Sequence, residues 1–128
     1  MRLTSVCSAA LILATLCSVG CWRCDYSGPI TDDMVVGEYE YISKTGVLDE
    51  RVGDRVVLRA DHTYVLTRAA RPGAHAEEVG MWKLRTIEYM WKVDIDDFGY
   101  VVRITHNEVQ LLRNDDLGLM FMRPRKKR

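Results

Sequence analysis

What the chain has little of narrows it first. Beyond residue 20 no hydrophobic run approaches the roughly 20 residues that a membrane-spanning helix needs, so the greater part of the chain is not built of such spans. No segment after residue 30 repeats its apolar residues every 3.6 positions, which argues against a helical domain. Basic side chains are in the minority in the body: residues 21–122 carry 12 Lys and Arg against 18 Asp and Glu, a net of −6. Nucleic-acid binding draws most of its strength from neutralising phosphates, which a surface of that sign does not do, so no nucleic-acid partner is expected. The three histidines, His62, His75 and His106, stand singly and give no metal-ligand spacing. No Ser, Cys or Lys has an identifiable base beside it, so nucleophilic catalysis has no support. The expectation is a protein that is not an enzyme and carries no metal or cofactor.

What is present is alternation. At 128 residues, 48% hydrophobic and 28% charged, the chain is long enough for one folded domain and too apolar to stay disordered. Apolar and polar residues alternate with period 2 through Val35–Ile42, Arg55–Arg59, Thr63–Thr67, Val79–Leu84, Ile87–Ile95, Tyr100–Thr105, Glu108–Leu112 and Leu119–Met122. The turns between them include Ala60-Asp61-His62, Asp96-Asp97-Phe98-Gly99, His106-Asn107 and Asn114–Gly118. Two connections are longer, Ser43–Asp54 and Arg68–Glu78, and both are expected to be mobile. About eight short strands joined in sequence predict an all-β antiparallel meander that closes into a small barrel or sandwich, since closure removes exposed edges.

Three short stretches carry a resemblance. Val36-Gly37-Glu38-Tyr39, Leu58-Arg59-Ala60-Asp61-His62-Thr63-Tyr64 and Gly80-Met81-Trp82-Lys83-Leu84 resemble the G-x-Y, L-x-x-D-G-T-Y and G-x-W pattern of small lipocalin-like β domains in uncharacterised bacterial lipoproteins. The resemblance spans residues 36–84 and implies a fold and a compartment, with no activity. It departs at His62, where the pattern has glycine. A slightly different turn is expected there, with Asp61 still free to bond its own backbone.

The N-terminal segment points the same way. Residues 1–20 read MRLTSVCSAALILATLCSVG: one positive charge at Arg2, an apolar stretch from Leu3 to Val19, then small residues, the pattern of a secretory signal. Val19-Gly20-Cys21 resembles the end of a lipobox, the processing site of bacterial lipoproteins, with Ser18 where Leu is usual. The resemblance implies that the Cys21 sulfur takes a diacylglycerol and that cleavage makes Cys21 the new N-terminus. Each buried CH₂ contributes about 0.8 kcal/mol, and two or three chains anchor stably where one is marginal. Trp22, in place of the Asp that marks inner-membrane retention, implies the outer membrane in a host that has one. The rival reading is the C-x-x-C of Cys21 and Cys24, a redox pair or half a zinc site. A thioredoxin-like pair belongs at a strand–helix junction in a βαβ unit, and none follows. With Cys21 lipidated, Cys24 is an incidental cysteine in the tether. The resulting organisation is a signal peptide over 1–20, a lipidated tether over 21–33, a β domain over 34–123 and a basic tail over 124–128, where Pro124 ends the last strand and only charges follow.

The candidate ligand pocket is Tyr64, Trp82, Tyr89, Trp91 and Phe121, aromatic residues on apolar strand faces. In a small eight-stranded barrel such residues either fill the interior or wall one small apolar ligand. With strands this short a filled core is the expectation, Trp91 included. Asp94, Asp96 and Asp97 read as a polar hairpin turn rather than a cation site. Met81, Met90, Met120 and Met122 read as a second packing face rather than a soft-metal site. The sequence thus predicts an envelope lipoprotein whose β domain binds or scaffolds. Its partners would be the membrane through Cys21 and either an envelope protein or a small apolar ligand. The alternatives are a thiol redox protein using Cys21 and Cys24, and a carrier of an apolar molecule.

Overall fold

A computed structural model describes residues 26–69 and 77–124. The signal segment, Cys21, Cys24, most of the second long connection and residues 125–128 lie outside the described residues. Among the described residues no helix is long and apolar enough to cross a membrane.

Nine antiparallel strands form one nearly closed barrel, as the alternation predicts. They are β1 (Gly37–Ser43), β2 (Arg55–Leu58), β3 (Thr63–Thr67), β4 (Glu77–Met81), β5 (Lys83–Ile87), β6 (Met90–Ile95), β7 (Phe98–Ile104), β8 (Glu108–Asn114) and β9 (Leu119–Pro124). The order across the sheet is β4-β3-β2-β1-β9-β8-β7-β6-β5, so the first and last strands pair, with Tyr41 opposite Phe121. The seam falls elsewhere, between β4 and β5, which are consecutive in sequence and separated by Trp82 alone. One run of chain pairs with β3 through its first half and with β6 through its second, the way a strand turns a barrel corner.

The strand count exceeds the eight expected for two reasons. Trp82 divides the run 79–84, and the run 87–95 is not one strand. Glu88 and Tyr89 form a two-residue turn, with φ of 48° and 70° and with Ile87 opposite Met90. Left-handed backbone at both central residues matches a type I′ hairpin, whose twist suits the flanking strands. A second such turn, Asp96-Asp97 with φ of 48° and 64°, joins β6 to β7. The predicted turn there also included Phe98 and Gly99, which instead open β7.

The interior is filled. Tyr39, Tyr41, Val56, Leu58, Leu66, Trp82, Val93, Ile95, Val102, Leu111 and Phe121 are buried in one cluster. Close packing explains Gly80: a Cβ there would lie 2.7 Å from the Tyr64 ring, so the ring occupies the space that any side chain would need. β8 is buried on both faces. Leu112 and Met120 are covered although they lie outside the main cluster. The β8–β9 turn is tied down by Thr45 Oγ1, which donates to the Leu117 carbonyl, and by Arg103, which pairs with Asp115 at 2.9 Å, while Lys44 pairs with Glu108 at the start of β8. Met120 therefore does pack on a second face, whereas Met81 and Met90 are exposed.

One end of the barrel is stoppered by the segment before β1, which is closed off by a single helical turn, α1 (Asp32–Val35). Ile30 and Val35 are buried. The Tyr39 hydroxyl donates to the Val35 carbonyl at 2.5 Å, and Arg123 Nη2 donates to the Met34 carbonyl at 2.7 Å. The Tyr26 amide donates to the Ile104 carbonyl at 2.6 Å. Residues 26–33, assigned to the tether by their Gly, Pro and polar content, are therefore docked on the barrel. Ile30 supplies the apolar contact that the composition obscured.

The β2–β3 turn closes the same end. His62 has φ 69°, a left-handed conformation that glycine adopts most readily. Its backbone strain is offset by contacts: Nε2 lies 2.7 Å from Asp32 Oδ2, and the ring stacks on Trp82 with centroids 4.7 Å apart. Asp61 Oδ1 accepts from the Thr63 hydroxyl and amide at 2.6 and 3.0 Å, and the hydroxyl bond first of all holds its carboxyl below the usual range. Trp82 Nε1 donates to the Arg59 carbonyl at 2.9 Å.

Candidate functional site

The opposite end opens. The β1–β2 connection, the end of β3, the Asp96-Asp97 turn and the β8–β9 hairpin surround a cavity of about 200 Å³ lined by Arg51, Asp54, Arg68, Asp96, Asp97 and Arg113 above Leu66, Ile95, Phe98, Tyr100 and Phe121. Its base is the apolar interior and its rim is charged, a distribution that follows from position. Strand residues alternate inward into the core, while residues at the turns reach water.

Arg68 organises the rim. Its guanidinium makes a two-pronged bond to Glu78, Nε to Oε1 at 3.0 Å and Nη2 to Oε2 at 3.2 Å. It also reaches Asp96 at 3.3 Å and Asp54 at 3.7 Å. The Glu78 hydrogen bond chiefly raises its pKa above the ordinary arginine range. Asp54 is 2% exposed, and its Oδ1 accepts from the Ala69 amide at 2.9 Å. A buried carboxylate is tolerable only with such partners. These contacts bridge the barrel seam. Glu78 sits on β4 and Asp96 beyond β6, strands that have no backbone ladder between them.

Two further guanidinium groups are held differently. Arg51 lies near Tyr100, where its charge opposes the rise in the phenol's pKa, and Arg113 lies over the Phe98 ring at 5.1 Å. Among the described residues neither pairs with a carboxylate. Three aromatic contacts fix the wall beneath them: Phe98–Tyr100 at 4.7 Å, Tyr100–Phe121 at 5.4 Å and Tyr41–Phe121 at 5.1 Å. Burial pushes the Tyr100 and Tyr41 phenols above their ordinary pKa. The Tyr41 hydroxyl is fully buried and has no hydrogen-bond partner. The β1–β2 connection, expected to be mobile, is tied in here. The Gly53 amide donates to the Tyr41 carbonyl, the Tyr41 amide donates to the Asp54 carbonyl, and the Lys44 amide donates to the Gly118 carbonyl.

Of the five aromatic residues predicted to form a pocket, only Phe121 lines this cavity. Tyr64 is buried against Gly80, close enough to Asp96 for that carboxylate to help raise its pKa after desolvation. Trp82 is buried at the barrel corner. Tyr89 is fully exposed on the β5–β6 turn, so its place in both the core row and the pocket is corrected. Trp91 is half-buried against the core rather than within it, because β6 begins only one residue before it. The three aspartates separate: Asp94 Oδ2 accepts from Arg85 Nε at 2.6 Å, Asp96 meets Arg68, and Asp97 lines the cavity. Arg51, Asp54, Arg68 and Arg113 carry no local motif, and their convergence is visible only in the closed sheet.

No protein-family model matches the chain, and neither a curated protein nor a solved structure is significantly similar to it.

Proposed function

We propose that this chain is an exported lipoprotein, anchored through Cys21, whose barrel is a binding domain and not a catalyst. The observation that carries the reading is the asymmetry of the barrel. The chain enters at the stoppered end, where Tyr26 is bonded five residues after Cys21, so an anchor at Cys21 leaves the cavity at the opposite end facing away from the membrane. The cavity holds ionic and aromatic groups and lacks a nucleophile with its base. Arg51 and Arg113 favour a small polar ligand with an anionic group, such as a carboxylate, whose body rests on Phe98 and Tyr100. A rim this charged disfavours the purely apolar cargo of the carrier alternative, since its ion pairs would lose water without replacement.

Two measurements test the reading. Metabolic labelling with a fatty-acid analogue marks the wild type and misses Cys21→Ala; equal labelling overturns the anchor. A screen of small carboxylates by thermal shift identifies a ligand, because occupancy at 100 times Kd stabilises the fold by about 2.7 kcal/mol. Arg113→Ala abolishes that shift. A ligand that shifts both proteins equally binds elsewhere.

A further inference from the structure

The lining of the open-end cavity is balanced in charge. It carries three guanidinium groups, Arg51, Arg68 and Arg113, and three carboxylates, Asp54, Asp96 and Asp97. Arg68 accounts for two of the carboxylates, meeting Asp96 at 3.3 Å and Asp54 at 3.7 Å. Arg51, Arg113 and Asp97 are left over. Among the described residues no ion pair includes any of the three. The backbone holds them apart. Asp97 is fixed in the β6–β7 turn at φ 64° and directly precedes Phe98, while Arg113 belongs to β8 and lies over the Phe98 ring at 5.1 Å. Charges of both signs are thus placed about one aromatic ring, in one cavity, without meeting. The two guanidinium residues are half-buried and Asp97 is exposed, so the free cations lie further in and the free anion lies at the mouth.

From this arrangement we infer that the cavity takes a zwitterion the size of a single α-amino acid, with its carboxylate on Arg51 and Arg113, its ammonium on Asp97 and its side chain on the apolar base. The inference rests on the cavity being the binding site and narrows what that site binds. A simple anion would meet the two cations and be repelled by Asp97 across the mouth. A simple cation would meet Asp97 and be repelled by the two guanidinium groups. A zwitterion satisfies both signs and leaves the charge balance of the lining unchanged. Charge-assisted hydrogen bonds are the strong ones, and a pair of opposite sign fixes the ligand's orientation as well as its affinity. Volume sets the size: about 200 Å³ lies below the roughly 300–1,000 Å³ of sites for drug-sized ligands, which excludes a peptide or a nucleotide. Leu66, Ile95 and Phe121 at the base favour an apolar side chain, since a charged one would be desolvated there without a partner.

The test uses residues 21–128 with Cys21→Ser, which retains the whole core from Ile30 to Phe121. It is titrated by calorimetry with L-leucine, L-methionine and L-phenylalanine. Each is compared with its N-acetyl derivative, which keeps the carboxylate and loses the cation, and with its amide, which does the reverse. The expected result is that at least one free amino acid binds and that both of its derivatives bind about tenfold more weakly or worse, the cost of one hydrogen bond to a charged group. Asp97→Asn, which keeps a residue tolerant of left-handed backbone, should erase the preference over the N-acetyl form, and Asp97→Glu should keep it. Arg113→Gln should erase the preference over the amide. An N-acetyl form that binds the wild type as tightly as its free amino acid would overturn the proposal, and so would a preference that survives Asp97→Asn. If that N-acetyl binding also weakens in Arg113→Gln, the anion site stands and only the zwitterion falls. Silence from all three amino acids overturns the proposal too, and the carboxylate screen then decides the broader reading of the cavity separately.

Discussion

At the stoppered end three side chains finish on backbone carbonyls: the Tyr39 hydroxyl on Val35, Arg123 on Met34 and the Trp82 indole on Arg59. At the open end the Arg68 guanidinium finishes on three carboxylates. A backbone carbonyl is fixed by the fold, so a side chain that bonds it is fixed too. A side chain that bonds another can exchange it for a ligand. The first arrangement stabilises and the second suits the ligand exchange proposed above, and substitutions at the two ends should behave accordingly.

The largest effect is expected at the barrel corner. Trp82→Ala removes a buried side chain and its indole hydrogen bond, a loss of about 3–5 kcal/mol. Phe98→Ala at the open end, where the ring is 37% exposed, should cost far less. Chemical denaturation measures both, and equal losses would erase the contrast.

Next comes Arg68→Ala, which leaves the buried Asp54 carboxylate without its cation and opens the bridge across the seam. Loss of hydrogen bonds to charged groups predicts about 1.5–3 kcal/mol. Arg68→Lys should recover only part of it, because an ammonium cannot grip Glu78 with two parallel bonds. Full recovery would show that charge alone matters there.

One substitution made at each end sharpens the comparison by sign. Tyr39→Phe forfeits the bond to Val35 and should destabilise by about 1 kcal/mol. Tyr41→Phe removes a buried hydroxyl that has no partner and should leave stability unchanged or raise it by about 1 kcal/mol. Losses of the same sign in both melts would mean that the Tyr41 hydroxyl is satisfied in solution.

The smallest effect concerns left-handed backbone. Tyr89→Gly relieves φ 70° at a side chain that touches little, and should gain about 1 kcal/mol. His62→Gly gains the same relief but surrenders Asp32 and the Trp82 stack, so it should melt no higher than the wild type. A higher melt for His62→Gly would show that those contacts contribute nothing.

These pairs also mark what the sequence could reveal. The all-β class, the meander and the turns at Ala60–His62 and Asn114–Gly118 were legible because strand alternation and turn chemistry are local. The Glu88-Tyr89 turn was not. A two-residue hairpin keeps the alternation running through the reversal, so Ile87, Tyr89 and Trp91 read as one face although the chain folds back between them. Neither turn residue is Gly, Asn or Asp to announce it. The cavity was hidden for a different reason. Arg51 and Arg68 belong to separate connections and Arg113 to the end of β8, and they meet only through pairings such as Tyr41 with Phe121. The row of aromatics marks the core, while the charged groups of the cavity sit at strand ends and in connections, where sequence patterns are weakest.

The pairing of β1 with β9 sets the order of events in making this protein. β1 appears early in synthesis, yet its second neighbour lies 80 positions later, Tyr41 against Phe121. Contacts so distant in sequence form slowly, and they cannot form at all until the last strand has been made. The barrel therefore has no closed intermediate built from its first half. The growing chain stays open until β9 emerges, which is the state in which a polypeptide can be threaded through a narrow pore and fold on the far side.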